Sequence, residues 1–404
     1  MNHHTTHQSN NNGTNKPAFY LDESLPGQAD DPWMDAIAFS GGGMAGVCYA
    51  GVLKALEQYG YRKDIIYWSG SSVGSIIATL CVLGASAEYC IETLMTTDVS
   101  IFIDLAAQPN FHLGLVKSIR TYGKTIINLI EKLGIDGGDK FTAWFSSILQ
   151  DLGYDPEITF QELYMKSGGK HLCITASSIN TAETLYLTRS SYPHMRVIDA
   201  VRVSISLPYV FQPIYMDDPH CLHGRRLLAD GGIYDNLPVN VLDIRHKGEI
   251  VAVYRKMVGF ALVTHGKWTK DYETIDGILK YSYNFVEGMH AHLSVEKSQQ
   301  FMYWDRVFPI ECYDIASMDF NMNRESMVHL IETGYNATKY LCKRREQMIL
   351  RYGPVPRNYF IQVPGKGPAK QYDNNDLWRT DLYETNPEHF VRSEIPANPN
   401  YNIK

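Results

Sequence analysis

The chain reads as an α/β fold of three layers, with helices on both faces of a mostly parallel central sheet, and three observations predict it. The apolar run Ala36-Ile37-Ala38-Phe39 is followed by an amphipathic stretch over residues 45–59 and then by a second apolar run, Ile65-Ile66-Tyr67-Trp68. Strand, helix, strand in immediate succession makes a parallel pair with a right-handed crossover. Further apolar runs at residues 172–176, 185–188, 226–229 and 250–254 alternate with helical patterns, as in a sheet covered on both sides. At 404 residues and 45% hydrophobic composition, the chain is long enough to bury one large core.

Taken in order, residues 1–34 form a polar tail expected to be flexible, through Asn10-Asn11-Asn12-Gly13 and Pro26-Gly27. The main domain spans residues 35–350. Its first strand runs into Ser40-Gly41-Gly42-Gly43-Met44-Ala45-Gly46, where three consecutive glycines leave backbone N–H groups unshielded. The helix that follows carries Val47, Ala50, Leu53 and Leu56 on one face and stops at Gly60, so its positive dipole end faces the glycine loop. Such a loop stabilises an anion. In acyl transfer that anion is the tetrahedral oxygen, and each well-placed donor is worth roughly 3 kcal/mol in the transition state. The candidate donors are Gly41, Gly42, Gly43 and Met44.

Gly41-x-Gly43-x-x-Gly46 also fits the dinucleotide fingerprint, which would make the chain a nicotinamide oxidoreductase. That reading wants an acidic residue at the end of the second strand. Here the strand ends in Ser69-Gly70, and Asp64 lies before it.

The second strand leads into Gly70-Ser71-Ser72-Val73-Gly74, and Ile76-Ile77-Ala78-Thr79-Leu80 continues as a helix. Gly-x-Ser-x-Gly at a strand-to-helix turn lifts a serine hydroxyl out of the backbone, so Ser72 is the candidate nucleophile, supported by Gly70 and Gly74. Two parallel strands end at the same sheet edge, which makes Gly42 and Ser72 neighbours. The usual base for such a serine is a histidine.

These two blocks, followed by Asp230-Gly231-Gly232, resemble the patatin-like phospholipases. The similarity includes residues 202–213, reading Arg-Val-Ser-Ile-Ser-Leu-Pro-Tyr-Val-Phe-Gln-Pro, and residues 227–239, around Asp230. Matches at Asp319-Phe320-Asn321-Met322 and Gly334-Tyr335 extend it over roughly residues 35 to 345. The resemblance implies a patatin-like domain in which Ser72 and Asp230 form a catalytic dyad, with Gly231 and Gly232 as motif support and with neither metal nor cofactor. One position departs from the pattern: many members carry Arg or Lys where this chain has Ala45.

A second Asp-Gly-Gly stands at Asp136-Gly137-Gly138. Between the helical pattern Ile126-Ile127-Asn128-Leu129-Ile130 and the helical residues 141–149, it reads as a helix–helix connection in which Asp and Gly serve as caps. Asp230 instead ends an apolar strand, at the rim the parallel strands share. A free carboxylate, with pKa near about 3.9, is a weak base toward an alcohol, and burial of Asp230 raises it.

Other chemistries find less support. His246 or His265 would have to serve a Ser–Asp–His order, and neither has a motif around it. His220, Cys221 and His223 lack a second ligand pair at zinc spacing. A net charge of −7 argues against a nucleic-acid partner. Seven scattered cysteines without a paired framework, and no apolar leader in the first residues, favour a cytoplasmic location.

Residues 99–161 read as a helical insertion whose clusters Ile101-Phe102-Ile103 and Phe111-His112-Leu113-Gly114-Leu115-Val116 suggest a lid or bilayer contact, against the plainer reading as core. Long helices are expected over residues 274–293 and 325–350, and residues 351–404 form a Pro/Asn-rich extension. The expected function is phospholipase A-type acyl hydrolysis at a peripheral membrane surface. Neutral-lipid lipase or transacylase activity, the oxidoreductase and a non-catalytic lipid-binding scaffold are the alternatives.

Overall fold

The computed structural model describes residues 34–97, 132–218, 224–246, 249–254, 256–263, 288, 306–312, 322–352 and 360–362. Most of the expected tail, residues 99–131 of the insertion, His220, Cys221, His223, His265, the 274–293 helix, residues 319–321 and nearly all of the C-terminal extension lie outside them.

The first half of the chain forms β1 (Ala36–Phe39), α1 (Cys48–Gln58), β2 (Tyr67–Gly70), α2 (Val73–Val82), α3 (Ala87–Thr96), β3 (Gly134–Asp136), α4 (Asp139–Asp151), α5 (Phe160–Lys166), β4 (His171–Ser178) and β5 (Glu183–Thr188). The second half forms α6 (Val197–Ser204), β6 (Tyr209–Phe211), β7 (Ile214–Asp217), β8 (Arg225–Asp230), α7 (Gly232–Asp235), β9 (Ile244–His246), β10 (Glu249–Tyr254), β11 (Met257–Val263), β12 (Val307–Glu311), α8 (Arg324–Tyr352) and β13 (Phe360–Gln362).

The central sheet has the order β12-β11-β1-β2-β4-β8-β7, with β5 also paired to β4. The strands β12, β11, β1, β2 and β4 are parallel, so the sheet is mixed and mostly parallel, as the sequence predicts. Alternation in β1 builds its two faces: Ile37 and Phe39 join one core with residues of α1, α2 and α8, while Ala36 and Ala38 face Leu237, Val239 and Leu242 on the other. Both faces are therefore packed, as a parallel sheet requires. Helices α1 and α8 meet backbone to backbone. A Cβ at Gly51 would lie 1.8 Å from the Ile331 carbonyl oxygen, and one at Gly334 would lie 2.0 Å from that of Cys48, which accounts for the glycine in the last helix.

Three expectations are corrected. The run at 250–254 is β10 of a separate three-stranded sheet with β9 and β13, and the neighbour of β1 is β11. Two apolar runs separated only by Arg255-Lys256 carry no local signal of which one enters the main sheet. Asp136 does not sit in a simple helix–helix connection: it ends the short strand β3, paired in parallel with β6. Finally, β8 is antiparallel to β4, so Asp230 does not end a strand of the parallel set. It reaches the same rim because β4 runs past its neighbours. Gly70 pairs with Ile174 and Asp230 with Ala176, two residues farther along β4, where β8 enters from beyond the edge and stops.

Candidate active site

Ser72 closes the turn between β2 and α2 with φ +50° and ψ −126°, a region that L-residues rarely occupy and that a tight turn has to enforce. Two glycines make room for it. A Cβ at Gly70 would lie 2.1 Å from the Gly74 carbonyl oxygen, and one at Gly74 would lie 2.3 Å from that of Phe39. The first and third positions of Gly-x-Ser-x-Gly are thus fixed by backbone crowding in the elbow.

The Ser72 hydroxyl donates a 2.7 Å hydrogen bond to Oδ2 of Asp230. The other carboxyl oxygen, Oδ1, accepts the Gly232 N–H at 2.7 Å, and the Asp230 N–H donates to the Ser206 carbonyl at 2.9 Å. Asp230 is 1% exposed. Burial pushes its carboxyl up to about 7, against the opposing pull of the hydrogen bonds from Ser72 and Gly232. Gly231 is obligatory, since a Cβ there would lie 2.2 Å from Thr175 Oγ1 and 2.4 Å from its carbonyl oxygen on the neighbouring β4.

The glycine loop lies against this pair. A Cβ at Gly41 would approach Ser72 Cβ to 3.0 Å and Asn236 Oδ1 to 2.4 Å, so the missing side chain is what lets the loop touch the elbow. The expected four donors are not equivalent. The Gly41 N–H is already given to the Asn236 carbonyl at 3.1 Å, and the Asn236 side-chain amide returns a bond to the Gly41 carbonyl at 3.4 Å. Among the described residues, the N–H groups of Gly42 and Gly43 meet no protein acceptor, as at the opening of any helix. Met44 follows in the 3-10 turn Gly43–Val47, which leads into α1. Ala45 is fully buried, and no cation stands at its position.

Ser72 and Asp230 therefore meet at one rim of the sheet, with the glycine loop laid against them at Gly41. Two contributors went unassigned from the sequence. Asn236 ties the glycine loop to the segment after Asp230, and the Ser204 hydroxyl accepts the Ser72 N–H at 3.0 Å. Both lie inside the blocks 202–213 and 227–239, but only their positions in the fold reveal their contacts. An ester carbonyl set against Ser72 would find a hydroxyl hydrogen-bonded to a basic carboxyl, the nucleophile and base that acyl transfer needs.

The family model of the patatin-like phospholipases matches residues 37–243, half of the chain, from β1 through the segment after Asp230. The chain belongs to the patatin-like phospholipase family. Uncharacterized protein R571 of Acanthamoeba polyphaga mimivirus is 27% identical over 330 residues, covering 79% of this chain and 97% of its own length. YqhO of Bacillus subtilis is 23% identical over 316 residues, covering 76% of this chain and 97% of its own. Triacylglycerol lipase 5 of Saccharomyces cerevisiae is 27% identical over 224 residues, 51% of this chain but only 28% of the lipase. Family and lipase relative together support lipid hydrolysis as the activity of the patatin-like domain, and they leave the dinucleotide reading of residues 41–46 without support.

Proposed function

We propose that the chain hydrolyses acyl esters of membrane phospholipids, as a phospholipase A-type enzyme, with Ser72 as nucleophile and Asp230 as its base. The observation that carries this reading is the 2.7 Å hydrogen bond from the Ser72 hydroxyl to a carboxyl that burial makes unusually basic. A base with a pKa near the working pH combines a useful ionised fraction with real proton affinity.

In the acylation step, Ser72 Oγ attacks the ester carbonyl carbon while its proton passes to Asp230 Oδ2. The carbonyl electrons move onto the oxygen, and that oxyanion sits against the N–H groups of Gly42 and Gly43. Collapse expels the alcohol portion, the lysolipid, which leaves with the proton from Asp230. The product is an acyl ester on Ser72. Water then attacks this ester, gives its proton to the same carboxylate, and releases the fatty acid with Ser72 regenerated. The substrate is reached from a membrane surface. Among the described residues no helix is long and apolar enough to cross a membrane. The printed name of the yeast relative favours a second reading, hydrolysis of neutral triacylglycerol on the same site.

Purified protein incubated with phosphatidylcholine vesicles, phosphatidylglycerol vesicles and a triolein emulsion is expected to release fatty acid from the phospholipids first. A fluorophosphonate probe is expected to modify Ser72 alone. Release from triolein only moves the assignment to a neutral-lipid lipase, and folded protein that leaves the probe unreacted refutes the nucleophile.

A further inference from the structure

We infer that Ser204 is a positioning residue that holds the nucleophile and its base in register, an inference that rests on the catalytic reading of Ser72 and Asp230. Ser204 is the last residue of α6 and is fully buried. Its Oγ accepts the Ser72 N–H at 3.0 Å, and its carbonyl oxygen accepts the Gly231 N–H at 3.2 Å. Two residues on, the Ser206 carbonyl accepts the Asp230 N–H at 2.9 Å. One helix end thus grips both partners. The nucleophile is held by a side chain, and the backbone of Asp230 and Gly231 by the carbonyls of Ser206 and Ser204.

The contact to Ser72 matters because of the conformation it serves. At φ +50° the elbow turns the Ser72 amide away from the ladder of its own strand and of α2, and Ser204 Oγ is the acceptor it meets. A buried amide deprived of its acceptor favours rearrangement of the segment that carries it. The segment here is the elbow itself, whose next atoms are the Ser72 side chain. The anchor, by contrast, is stiff. The buried Arg202 on α6 donates to the Ser206 hydroxyl at 2.7 Å and to the Gly137 carbonyl at 2.9 Å, which fixes the helix end against the rest of the domain. Among the described residues no hydrogen bond joins Ser204 to the reacting hydroxyl or to the carboxyl, so it acts on the reaction through the placement of Ser72.

The test uses the full chain with Ser204→Ala, together with Ser204→Thr, which keeps the hydroxyl, on phosphatidylcholine vesicles. Four quantities are measured: kcat, KM, the rate of fluorophosphonate labelling of Ser72, and the acid limb of the pH profile. Loss of the hydroxyl is expected to lower kcat and the labelling rate in parallel by roughly ten- to a hundredfold, the scale of a misplaced reacting group, with KM within about twofold. The acid limb is expected to move up in pH, because the hydrogen bond from Ser72 holds the Asp230 carboxyl down and a displaced hydroxyl releases it. Ser204→Thr is expected to recover most of both effects. If the alanine variant fails to fold, Ser204→Cys, similar in volume but a weak acceptor, is expected to change in the same direction. A folded Ser204→Ala with wild-type kcat, labelling rate and acid limb overturns the inference, as does a variant that only melts earlier. Wild-type protein that neither hydrolyses lipid nor takes the probe removes the catalytic reading, and this inference with it.

Discussion

The two Asp-Gly-Gly segments fold alike locally and differ in what they face. Asp136 ends β3 and accepts the Gly138 N–H on Oδ1 at 2.6 Å; Asp230 ends β8 and accepts the Gly232 N–H on Oδ1 at 2.7 Å. Both are buried, and each begins the entry into a helix, α4 or α7. The shared turn is the side-chain-to-backbone bond that Asp makes two residues on. The surroundings then separate them. The turn at Asp136 is laid over Arg202, close enough that a Cβ at Gly138 would lie 1.9 Å from Arg202 Nε, and the Asp136 charge supports that guanidinium. Asp230 has a serine hydroxyl on its second oxygen, and no cation figures among the influences on its carboxyl. The Asp-Gly-Gly letters specify a turn, and its surroundings decide whether the carboxyl's charge supports a nearby guanidinium or its second oxygen meets a serine hydroxyl.

The largest test of this contrast is on rate. Ser72→Ala and Asp230→Asn are each expected to lower kcat by about 10⁴, the scale seen when one member of a serine hydrolase's proton-transfer unit is removed. Asp136→Asn is expected to keep kcat within about threefold while losing on the order of 1–3 kcal/mol of stability, as for a buried charge partner withdrawn from Arg202. Steady-state kinetics beside denaturant melts on the three variants give the comparison. Equal losses of kcat at both aspartates would mean that the local turn, and not its surroundings, sets the chemistry.

What the sequence made legible divides along the same line. The first two strands, the glycine loop and the elbow were readable, because apolar periodicity and turn chemistry are written in neighbouring residues; the ground for setting Asp136 aside was not, since Asp136 too ends a strand and makes the same local turn as Asp230. The direction of β8 was not, since pairing with β4 is settled between segments some fifty residues apart and either direction buries the same apolar side chains. The commitment of the Gly41 N–H to Asn236 and the grip of Ser204 on Ser72 were hidden for the same reason. They join positions 195 and 132 residues apart, and hydrogen bonds of that range leave no spacing in the chain. The assignment of residues 250–254 to the main sheet failed because the neighbouring run 257–263 is equally apolar and only tertiary contacts rank them.

A smaller effect sharpens the electrostatic half of the contrast. Asp230 acts as a base only when ionised, and its carboxyl is pushed up to about 7. The quantity kcat/KM is therefore expected to rise about tenfold per pH unit below 7 and to level off above it, reporting the free enzyme's base. Asp136→Asn should leave that limb in place. An acid limb near 4, the ordinary carboxylate range, would show that water reaches Asp230 and that burial does not tune it.

The smallest effect is on stability, and its sign follows from the same carboxyl. In the unfolded chain Asp230 titrates near about 3.9, and in the folded one near 7, so between these values the native state binds the extra proton. Stability then declines as pH rises from about 4 to 7, and above 7 the full penalty of a buried carboxylate is present, on the order of 1–4 kcal/mol. Asp230→Asn removes the ionisation but keeps an oxygen able to accept from Ser72. The variant is expected to melt at a higher temperature than wild type at pH 8 and to lose most of that advantage at pH 4, while Asp136→Asn melts lower at pH 8. Thermal scans of the three proteins at both pH values decide it. A destabilised Asp230→Asn at pH 8 would mean that the carboxylate is held by favourable contacts, like its counterpart beside Arg202, and that the site gives up no stability to keep its base.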